Sequence, residues 1–392
     1  MKNINELDKN NCTGCRMCEQ ICPVKAIEMV ENKEGFIEPK VNEEKCINCG
    51  LCFKRCPQLN DVKNNRLDEI KVYAAKNKNI EEQKESSSGG IFSILANYVL
   101  ENNGIVYGCA FNSNLIAEQI SIESKEELYK LRGSKYVQSN TQNTFTEAKK
   151  DLENNRLVLY SGTPCQIAGL KAFLNKDYDN LITVDLVCHG VPSPKLFKKY
   201  LEYLEKKYKS RVINYEFRNK EKNGWGLTSK VVFDNGKKIY INANLDAYYK
   251  SFLKSYTYRE VCYNCKYANS NRISDITLAD YWGIQKQIPE FYDKQGISAM
   301  LINTKKGFEF FKQLKQNMIA KESNIYSVIK ENHNLEYPSE RVNLRENVYQ
   351  NIDEKKFENY IKEDLKYKKE LKDQIKKFIP TNIKKIIKKI LK

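Results

Sequence analysis

Residues 12–23 of the chain read CTGCRMCEQICP, and residues 46–57 read CINCGLCFKRCP. Each stretch has three cysteines separated by two residues, a fourth cysteine after three more residues, and then a proline. Three thiolates at this spacing wrap one face of an iron–sulfur cube, whereas the fourth reaches the neighbouring cube. The repeat therefore predicts a small electron-transfer module that holds two [4Fe–4S] clusters.

The ligand sets of these two clusters are expected to cross over between the repeats. The first set is Cys12, Cys15, Cys18 and Cys56, and the second set is Cys46, Cys49, Cys52 and Cys22. Pro23 and Pro57 end the two loops, because proline fixes φ and removes a donor. Structural zinc sites are the alternative, but they use two cysteine pairs separated by a longer stretch.

The length of 392 residues and the 41% hydrophobic content allow two or three folded domains and exclude a disordered chain. No stretch approaches the roughly 20 apolar residues of a membrane span, and the first ten residues lack the apolar core of a signal peptide. A cytoplasmic location is therefore expected. Eight of the 13 cysteines lie within residues 12–56, which favours metal ligation over a secreted disulfide scaffold.

The formal net charge of +16 is unevenly distributed. Residues 1–60 contain nine Lys/Arg and nine Asp/Glu, whereas residues 371–392 contain eight Lys and one Asp. The sequence has no helix-turn-helix or zinc-finger pattern, so a solvated lysine-rich surface explains the charge and no nucleic-acid partner is expected.

A polar stretch at residues 61–71 is predicted to be a linker to a larger mixed α/β domain at residues 72–300. Its first motif, SSSGGIF at residues 86–92, is a Ser/Gly turn that opens a helical run. Such a turn presents free N–H groups to a phosphate, although a helix cap without a ligand has the same sequence. The basic turn RGSKY at residues 132–136 could hold an anionic cofactor or could be simply exposed.

Two cysteines follow predicted parallel strands of this domain. In LVLYSGTPCQIAGL, residues 157–170, a strand over Leu157 to Tyr160 leads through a turn to a helix that starts near Cys165. The N-terminus of a helix favours the thiolate that a metal requires. In LITVDLVCHG, residues 181–190, a second strand ends at Cys188. Strand ends are where α/β folds usually build their sites.

Cys262 and Cys265 form a C-x-x-C pair, which alone could be a redox dithiol or half of a zinc site. Together with Cys165 and Cys188 they supply the four thiols that a third [4Fe–4S] cluster requires, with zinc or no metal as alternatives. Cys109 lies in an apolar strand and is expected to be a buried core thiol. A strand over Ile276 to Ala279 precedes Asp280 and Trp282, whose ring could flank a flat cofactor or pack in the core.

Residues 301–380 are predicted to be a helical C-terminal region that includes the amphipathic segment GFEFFKQLKQNMI. Residues 381–392, which follow Pro380, have isoleucines and a leucine at helical spacing with lysines between them. This basic amphipathic tail could lie on an anionic bilayer, at the inner membrane face, or dock on its own domain or on a partner.

Six motifs in order resemble the coenzyme F420 hydrogenase/dehydrogenase beta-subunit family over residues 72 to about 290, and the first 60 residues resemble the two-cluster bacterial ferredoxins. The motifs are SSSGGIF, LRGSKYVQS, SGTPCQIAGL, DLVCHGVPSP, the Cys262/Cys265 pair and DITLADYWG. The same fold resembles ferredoxin-dependent reductases of chlorophyll metabolism, so substrates vary widely within it. The resemblance implies an FAD-containing iron–sulfur protein.

Carried over by position, the resemblance implies two sets of cofactor residues. The ligands of the third cluster would be Cys165, Cys188, Cys262 and Cys265. The residues near FAD would be Ser88, Gly89, Gly90, Arg132, Ser134, Lys135, Thr163 and Asp280. No residue is assigned to a deazaflavin.

The expected protein is an iron–sulfur flavoprotein oxidoreductase that relays electrons from the ferredoxin-type clusters through a third cluster to FAD and an organic acceptor. The direction could also be reversed. A non-catalytic electron-transfer subunit and a coenzyme F420 oxidoreductase are the alternatives.

An electron donor or acceptor protein such as ferredoxin is the expected partner, and the substrate is a small or lipid-linked molecule. The Asn- and Lys-rich composition suggests an anaerobic bacterium, where coenzyme F420 is less expected. Because the chain has two histidines, His189 and His333, a general acid is expected to be Tyr, Lys, Asp or water.

Overall fold

The computed structural model describes residues 2–350 and 352–363, so the tail predicted at residues 381–392 lies outside the described residues. The strands are β1 (Ile27–Glu31), β2 (Ile37–Val41), β3 (Arg66–Asn77), β4 (Ile105–Phe111), β5 (Ala117–Ile122), β6 (Val158–Gly162), β7 (Leu181–Leu186), β8 (Val212–Glu216), β9 (Thr228–Phe233), β10 (Lys238–Asn242), β11 (Ile276–Asp280), β12 (Ser298–Thr304) and β13 (Met318–Ser323). The α-helices are α1 (Met17–Gln20), α2 (Leu51–Arg55), α3 (Ile80–Glu85), α4 (Ile91–Glu101), α5 (Thr144–Glu153), α6 (Pro164–Leu174), α7 (Pro194–Tyr208), α8 (Ala247–Leu253), α9 (Ile284–Gln287), α10 (Lys305–Leu314), α11 (Ile325–Ile329), α12 (Leu344–Gln350) and α13 (Phe357–Glu363).

An eight-stranded mixed sheet organises the chain, with the order β13-β3-β12-β11-β7-β6-β4-β5. The central neighbours β11, β7, β6 and β4 run parallel, and the outer pairs are antiparallel. All residues of β7 except the last are buried, and all residues of β12 are buried. This is expected where helices cover both faces of a sheet. The predicted mixed α/β class is therefore confirmed.

Neighbouring residues of β6 point to opposite faces of this sheet, and each face has its own helices. Leu159 packs in one buried cluster with Ile94 of α4 and Phe310 of α10. Tyr160 packs in another with Phe145 of α5, their ring centroids being 5.9 Å apart. The second cluster also contains Ile4, Met17 and Ile27, so the N-terminal 60 residues lie against the α5 and α6 face.

Two smaller sheets complete the described architecture. Strands β1 and β2 form a hairpin within the N-terminal 60 residues. Strands β10, β9 and β8 form an antiparallel sheet, and an aromatic core joins it to α7 and α8. Among the described residues, no helix has both the length and the apolar character required to cross a bilayer.

The predicted helical region from residue 301 is wrong in part. Strand β12 continues to Thr304, and β13 pairs with β3 at the edge of the large sheet. The amphipathic helix α10 ends at Leu314, before the 3₁₀ turn Lys315–Asn317. The segment that follows is too short for its periodicity to be recognised, and pairing with β3 decides its structure. The predicted linker at 61–71 likewise contains the first half of β3.

Candidate cofactor site

The structure gathers the cysteines of the N-terminal repeat into two groups. One small cavity is lined by Cys12, Cys15, Cys18 and Cys56, here called the first group. A second small cavity is lined by Cys22, Cys46, Cys49 and Cys52, here called the second group. These groups have the same members as the crossed ligand sets that the repeat predicts.

The two cysteine loops share one backbone conformation. Gly14 and Arg16, on either side of Cys15, have φ values of +68° and +62°. Asn48 and Gly50, on either side of Cys49, have φ values of +52° and +74°. Such left-handed residues turn successive N–H groups toward the inside of a loop, which forms a concave site for an anion or an iron–sulfur cluster.

The chemistry of the first group fits a [4Fe–4S] cluster. All four donors are thiols, and iron–sulfur clusters are held by thiolates. The Nε2 donor of Gln58 is buried without a hydrogen-bond partner among the described residues, and Gln58 lines both this cavity and a second cavity of about 420 Å³. Burial raises the pKa of the Cys15 thiol to about 12, so loading a cluster would release protons.

A third group, Cys165, Cys188, Cys262 and Cys265, lines one cavity of about 420 Å³. Helix α6 begins beside Cys165, and Thr163 and Gln166 form a reciprocal capping box at its start. Cys188 follows β7, which is the parallel neighbour of β6. The ends of adjacent parallel strands thus bring the two cysteines to one edge of the sheet. In the described part of the chain, no three His, Cys, Asp or Glu side chains converge closely enough for a single metal ion.

A buried ion pair supports the third group. Arg272 donates from Nη2 to Asp185 Oδ2 at 3.0 Å, and their side chains are 1% and 0% exposed. The same guanidinium donates from Nη1 to the Tyr267 carbonyl at 2.8 Å. It therefore ties the loop that follows Cys265 to the end of β7, close to Cys188. Sequence reasoning missed this pair, although Asp185 is the one charged residue in the apolar run LITVDLV.

The larger domain holds the first cysteine loop by its backbone carbonyls. Gln138 Nε2 donates to the Thr13 carbonyl at 2.9 Å, and Thr141 Oγ1 donates to the Cys15 carbonyl at 3.0 Å. The Tyr267 hydroxyl donates to the Pro57 carbonyl at 3.2 Å. The second group lies nearer the surface, where the side chain of Ile47 is 61% exposed.

The first group lies between the other two groups. The thiol of Cys18 interacts electrostatically with Cys52 of the second group, and the thiol of Cys15 interacts with Cys165 of the third. Burial, together with the thiols of Cys165 and Cys15, also raises the pKa of Tyr267. The three groups therefore follow one another from the protein surface to the cavity of about 420 Å³.

Most of the predicted flavin residues line that cavity: Ser88, Gly90, Arg132, Ser134, Lys135, Thr163 and Asp280. Gly89 instead packs against the backbone of the large sheet. A Cβ atom at Gly89 would lie 2.4 Å from the Ala75 carbonyl oxygen and 2.7 Å from the Ser298 nitrogen. The glycine at this position is therefore explained by close packing on β3 and β12.

We expect Gly89→Ala to lower the free energy of unfolding by about 1–3 kcal/mol, because the methyl group meets fixed backbone atoms. Thermal or chemical unfolding of the purified protein measures the change. Gly226→Ala is the matched control, because a Cβ at Gly226 meets nothing within 4 Å. Equal stability of the two variants would contradict the packing argument.

The Ser/Gly turn and the basic turn contact each other directly. The Ser134 nitrogen donates to Ser87 Oγ at 2.8 Å. Arg132 donates to Ser93 Oγ at 3.0 Å and forms an ion pair with Glu85. The two motifs that the sequence separates by about 45 residues thus form one wall of the cavity.

Lys135 stabilises the basic turn from inside. Its Nζ donates to the carbonyls of Cys109, Lys130 and Arg132 at 2.8, 3.0 and 2.9 Å. Burial lowers its pKa to about 8. Because all three donors are used, Lys135 would contribute positive potential to an anionic ligand and no direct hydrogen bond.

The Asp280 carboxylate likewise binds other side chains of the protein. Arg218 Nη1 and Nη2 contact its two carboxylate oxygens at 2.7 and 2.9 Å, and Trp225 Nε1 donates to Oδ1 at 2.6 Å. Trp282 stacks on Trp225 with ring centroids 4.6 Å apart and lines the cavity. Sequence reasoning missed Arg218, which lies 62 residues before its partner.

The cavity wall carries more positive than negative charge. Its carboxylates are Asp185 and Asp280, and both are ion-paired. Its cationic side chains are Arg132, Lys135, Arg218, Arg259 and Lys266. An excess of cations around a concave site favours an anionic ligand.

Cys109, His189 and His333 also lie in the region of the cavity. Cys109 lies in β4 as predicted, but it is partly buried and lines the cavity. His189 and His333 are neighbours, with ring centroids 5.8 Å apart. Burial, together with the nearby His333, lowers the pKa of His189 to about 4, so its imidazole is neutral at neutral pH.

Three family models match parts of this chain. Residues 72–145 match the N-terminal model, and residues 155–327 the C-terminal model, of the coenzyme F420 hydrogenase/dehydrogenase beta subunit. Residues 11–60 match a 4Fe-4S dicluster domain. The chain therefore belongs to the coenzyme F420 hydrogenase/dehydrogenase beta-subunit family and carries a 4Fe-4S dicluster domain before the family domains, as the motifs predicted.

Individual relatives include two proteins with coenzyme F420 in their names. The coenzyme F420-dependent sulfite reductase of Methanocaldococcus jannaschii is 27% identical over 78% of this chain and 46% of the relative. One subunit of the F420H2 dehydrogenase of Methanosarcina mazei is 26% identical over 40% of this chain and 46% of the relative. The chain thus spans about half the length of these curated relatives. A chain of the F420-reducing [NiFe] hydrogenase complex from Methanosarcina barkeri is 19% identical with a TM-score of 0.45, over 69% of this chain and 89% of that one.

Proposed function

We propose that this chain is an iron–sulfur flavoprotein oxidoreductase with three [4Fe–4S] clusters and one FAD. It would transfer electrons between a ferredoxin-type carrier protein and an organic acceptor. One observation supports the proposal above all. The three cysteine groups follow one another from the protein surface to a single cavity lined by cations. Clusters bound there would supply single-electron chemistry, and FAD would supply hydride chemistry.

The proposed ligands are the eight cysteines of the first and second groups and the four of the third. The exposed loop of the second group would face the carrier protein, since Ile47 lies at its surface. Ser88, Gly90, Ser134 and Thr163 would contact FAD, with Arg132 and Lys135 providing positive potential near its phosphates. Asp280 would orient Arg218 at the cavity wall and would not itself bind the flavin.

The proposed domain organisation follows the sheets. Residues 1–60 would form the unit that holds two clusters. The catalytic unit would begin in β3 and include β12 and β13, since both strands pair with β3. We further propose a cytoplasmic protein that acts on a small or lipid-linked substrate. Contact of residues 381–392 with the inner membrane face belongs to the same proposal.

An electron-transfer subunit without a substrate of its own is the second candidate. The relatives favour it, because the chain spans 46% of the coenzyme F420-dependent sulfite reductase and because the dehydrogenase relative is one subunit of an enzyme. Coenzyme F420 would then be one possible electron donor, as those names indicate. The two candidates differ in whether the isolated chain turns over an organic acceptor.

Anaerobic purification with iron, sulfide and flavin analysis tests the proposal. We expect about twelve iron atoms and one FAD per chain. Eight iron atoms and no flavin would contradict it and leave a dicluster module joined to a domain of another function. Reduction of the bound flavin by reduced ferredoxin or by reduced coenzyme F420, in separate assays, identifies the donor.

A further inference from the structure

Arg259 is a buried cation at the junction of the first and third cysteine groups, and the residue is 4% exposed. Its Nε donates to the Cys12 carbonyl at 2.6 Å, and its Nη2 donates to the Ile37 carbonyl at 2.9 Å. Its Nη1 donates to Gln138 Oε1 at 3.1 Å. The guanidinium also lies over the ring of Phe36, 5.3 Å from its centroid. Arg259 thus joins the N-terminal module to the larger domain.

The hydrogen-bond partners of Arg259 are all neutral. Within residues 2–350 and 352–363, no carboxylate forms an ion pair with Arg259. Three other buried arginines each have a carboxylate partner: Arg218 with Asp280, Arg272 with Asp185, and Arg345 with Glu34. Buried charges are normally paired, because an isolated ion is strongly disfavoured away from water. Arg259 therefore requires negative charge from another source.

The cysteine groups on either side can supply that charge once they hold clusters. A [4Fe–4S]²⁺ core with four thiolates carries a net charge of about −2, and one-electron reduction makes it more negative. Arg259 contacts the backbone of Cys12 in the first group. The backbone nitrogen of Cys262, in the third group, donates to the Arg259 carbonyl at 2.9 Å, and Arg259 lines the cavity that the third group shares.

We propose that Arg259 is the counter-charge of the first and third clusters and raises their reduction potentials relative to that of the second cluster. The inference rests on the proposed function, since it requires clusters in both groups. A fixed cation favours the more negative, reduced state of a neighbouring cluster. Arg259 would therefore favour electron flow from the surface group toward the cavity. It acts through the clusters and is a positioning residue, with no contact to the reacting substrate.

Arg259→Gln tests the proposal, because glutamine retains hydrogen bonding and removes the charge. We expect the reduction potentials of the first and third clusters to fall by about 59 mV, which corresponds to a tenfold change in the one-electron equilibrium constant. An EPR-monitored redox titration measures these potentials. The remaining potential, that of the second cluster, should not change. Arg259→Lys should restore most of the difference, because it restores the charge.

Lys9→Gln is the matched control. Lys9 lies three residues before Cys12, but its side chain is 74% exposed and paired with Glu38. Solvent should screen its charge, so the three potentials should stay at the wild-type values. Unchanged potentials in Arg259→Gln, or an equal shift in Arg259→Lys, would overturn the proposal.

Iron content separates this inference from the proposed function. If the wild-type chain binds eight iron atoms, the proposal of a third cluster is wrong. The reduction potential of the first cluster would still test whether Arg259 acts as its counter-charge. If Arg259→Gln does not fold, Gln138→Glu provides a second test, because its carboxylate accepts from Nη1 and offsets the cation; Gln138→Met, which loses the bond to the Thr13 carbonyl without adding charge, is its control. The same fall in the potentials of the first and third clusters is expected, and its absence would count against the counter-charge.

Discussion

Cys165→Ala is expected to lower the iron content from about twelve to about eight atoms per chain. The variant removes one of four thiols that share the cavity of about 420 Å³, whereas the first and second groups keep all their cysteines. Reduced ferredoxin should then still reduce the two N-terminal clusters, but flavin reduction should fall below detection. Iron and sulfide analysis and stopped-flow absorbance at the flavin bands measure the two effects.

Cys109→Ala is the control for this experiment. Cys109 also lines the cavity, but it lies in β4 and is not part of the three groups. It should retain about twelve iron atoms and normal flavin reduction. A loss of four iron atoms in Cys109→Ala, with none in Cys165→Ala, would show that the third ligand set is wrongly assigned.

Asp185→Asn is expected to lower the free energy of unfolding by about 3–5 kcal/mol, because it leaves the Arg272 guanidinium buried without its counter-ion. The pair is almost fully buried, so water cannot replace the lost partner. Loosening of the loop after Cys265 should also lower the iron content. Chemical denaturation of the anaerobic protein, followed by circular dichroism, measures the stability.

Two further variants define the origin of that loss. Glu221→Gln breaks the surface ion pair with Lys230, where the glutamate side chain is 52% exposed, and should cost less than about 1 kcal/mol. The double variant Asp185→Leu with Arg272→Met should recover much of the stability, because it removes both buried charges. If Asp185→Asn is no more destabilising than Glu221→Gln, the pair has no special role.

Local sequence patterns predicted the parts of this molecule that depend on nearby residues. The crossed membership of the first and second groups follows from the spacing of eight cysteines. The β6 to α6 turn and the position of Cys188 follow from short apolar runs that end in Gly, Pro or His. These features were recognisable because each follows from a short motif or, for the crossed groups, from two copies of one motif.

Contacts between distant residues account for what the sequence did not reveal. Strand β13 forms because the edge of the sheet beside β3 is available for pairing. The residues Met318–Ser323 alone do not indicate that they pair with β3. Arg259 meets Cys12 across 247 residues, and Arg218 meets Asp280 across 62. Gly89 matched a cofactor motif, although its packing against Ala75 explains the residue.

The carbonyl contacts of the first cysteine loop limit how this protein can be re-engineered. Arg259, Gln138 and Thr141 of the larger domain donate to the carbonyls of Cys12, Thr13 and Cys15, respectively. The conformation of the loop therefore matches this one surface of the larger domain. A ferredoxin transplanted from another protein would have all the metal ligands and still lack this fit. In a chimera, the cysteine loop and the three side chains that hold it would have to be exchanged as a single unit.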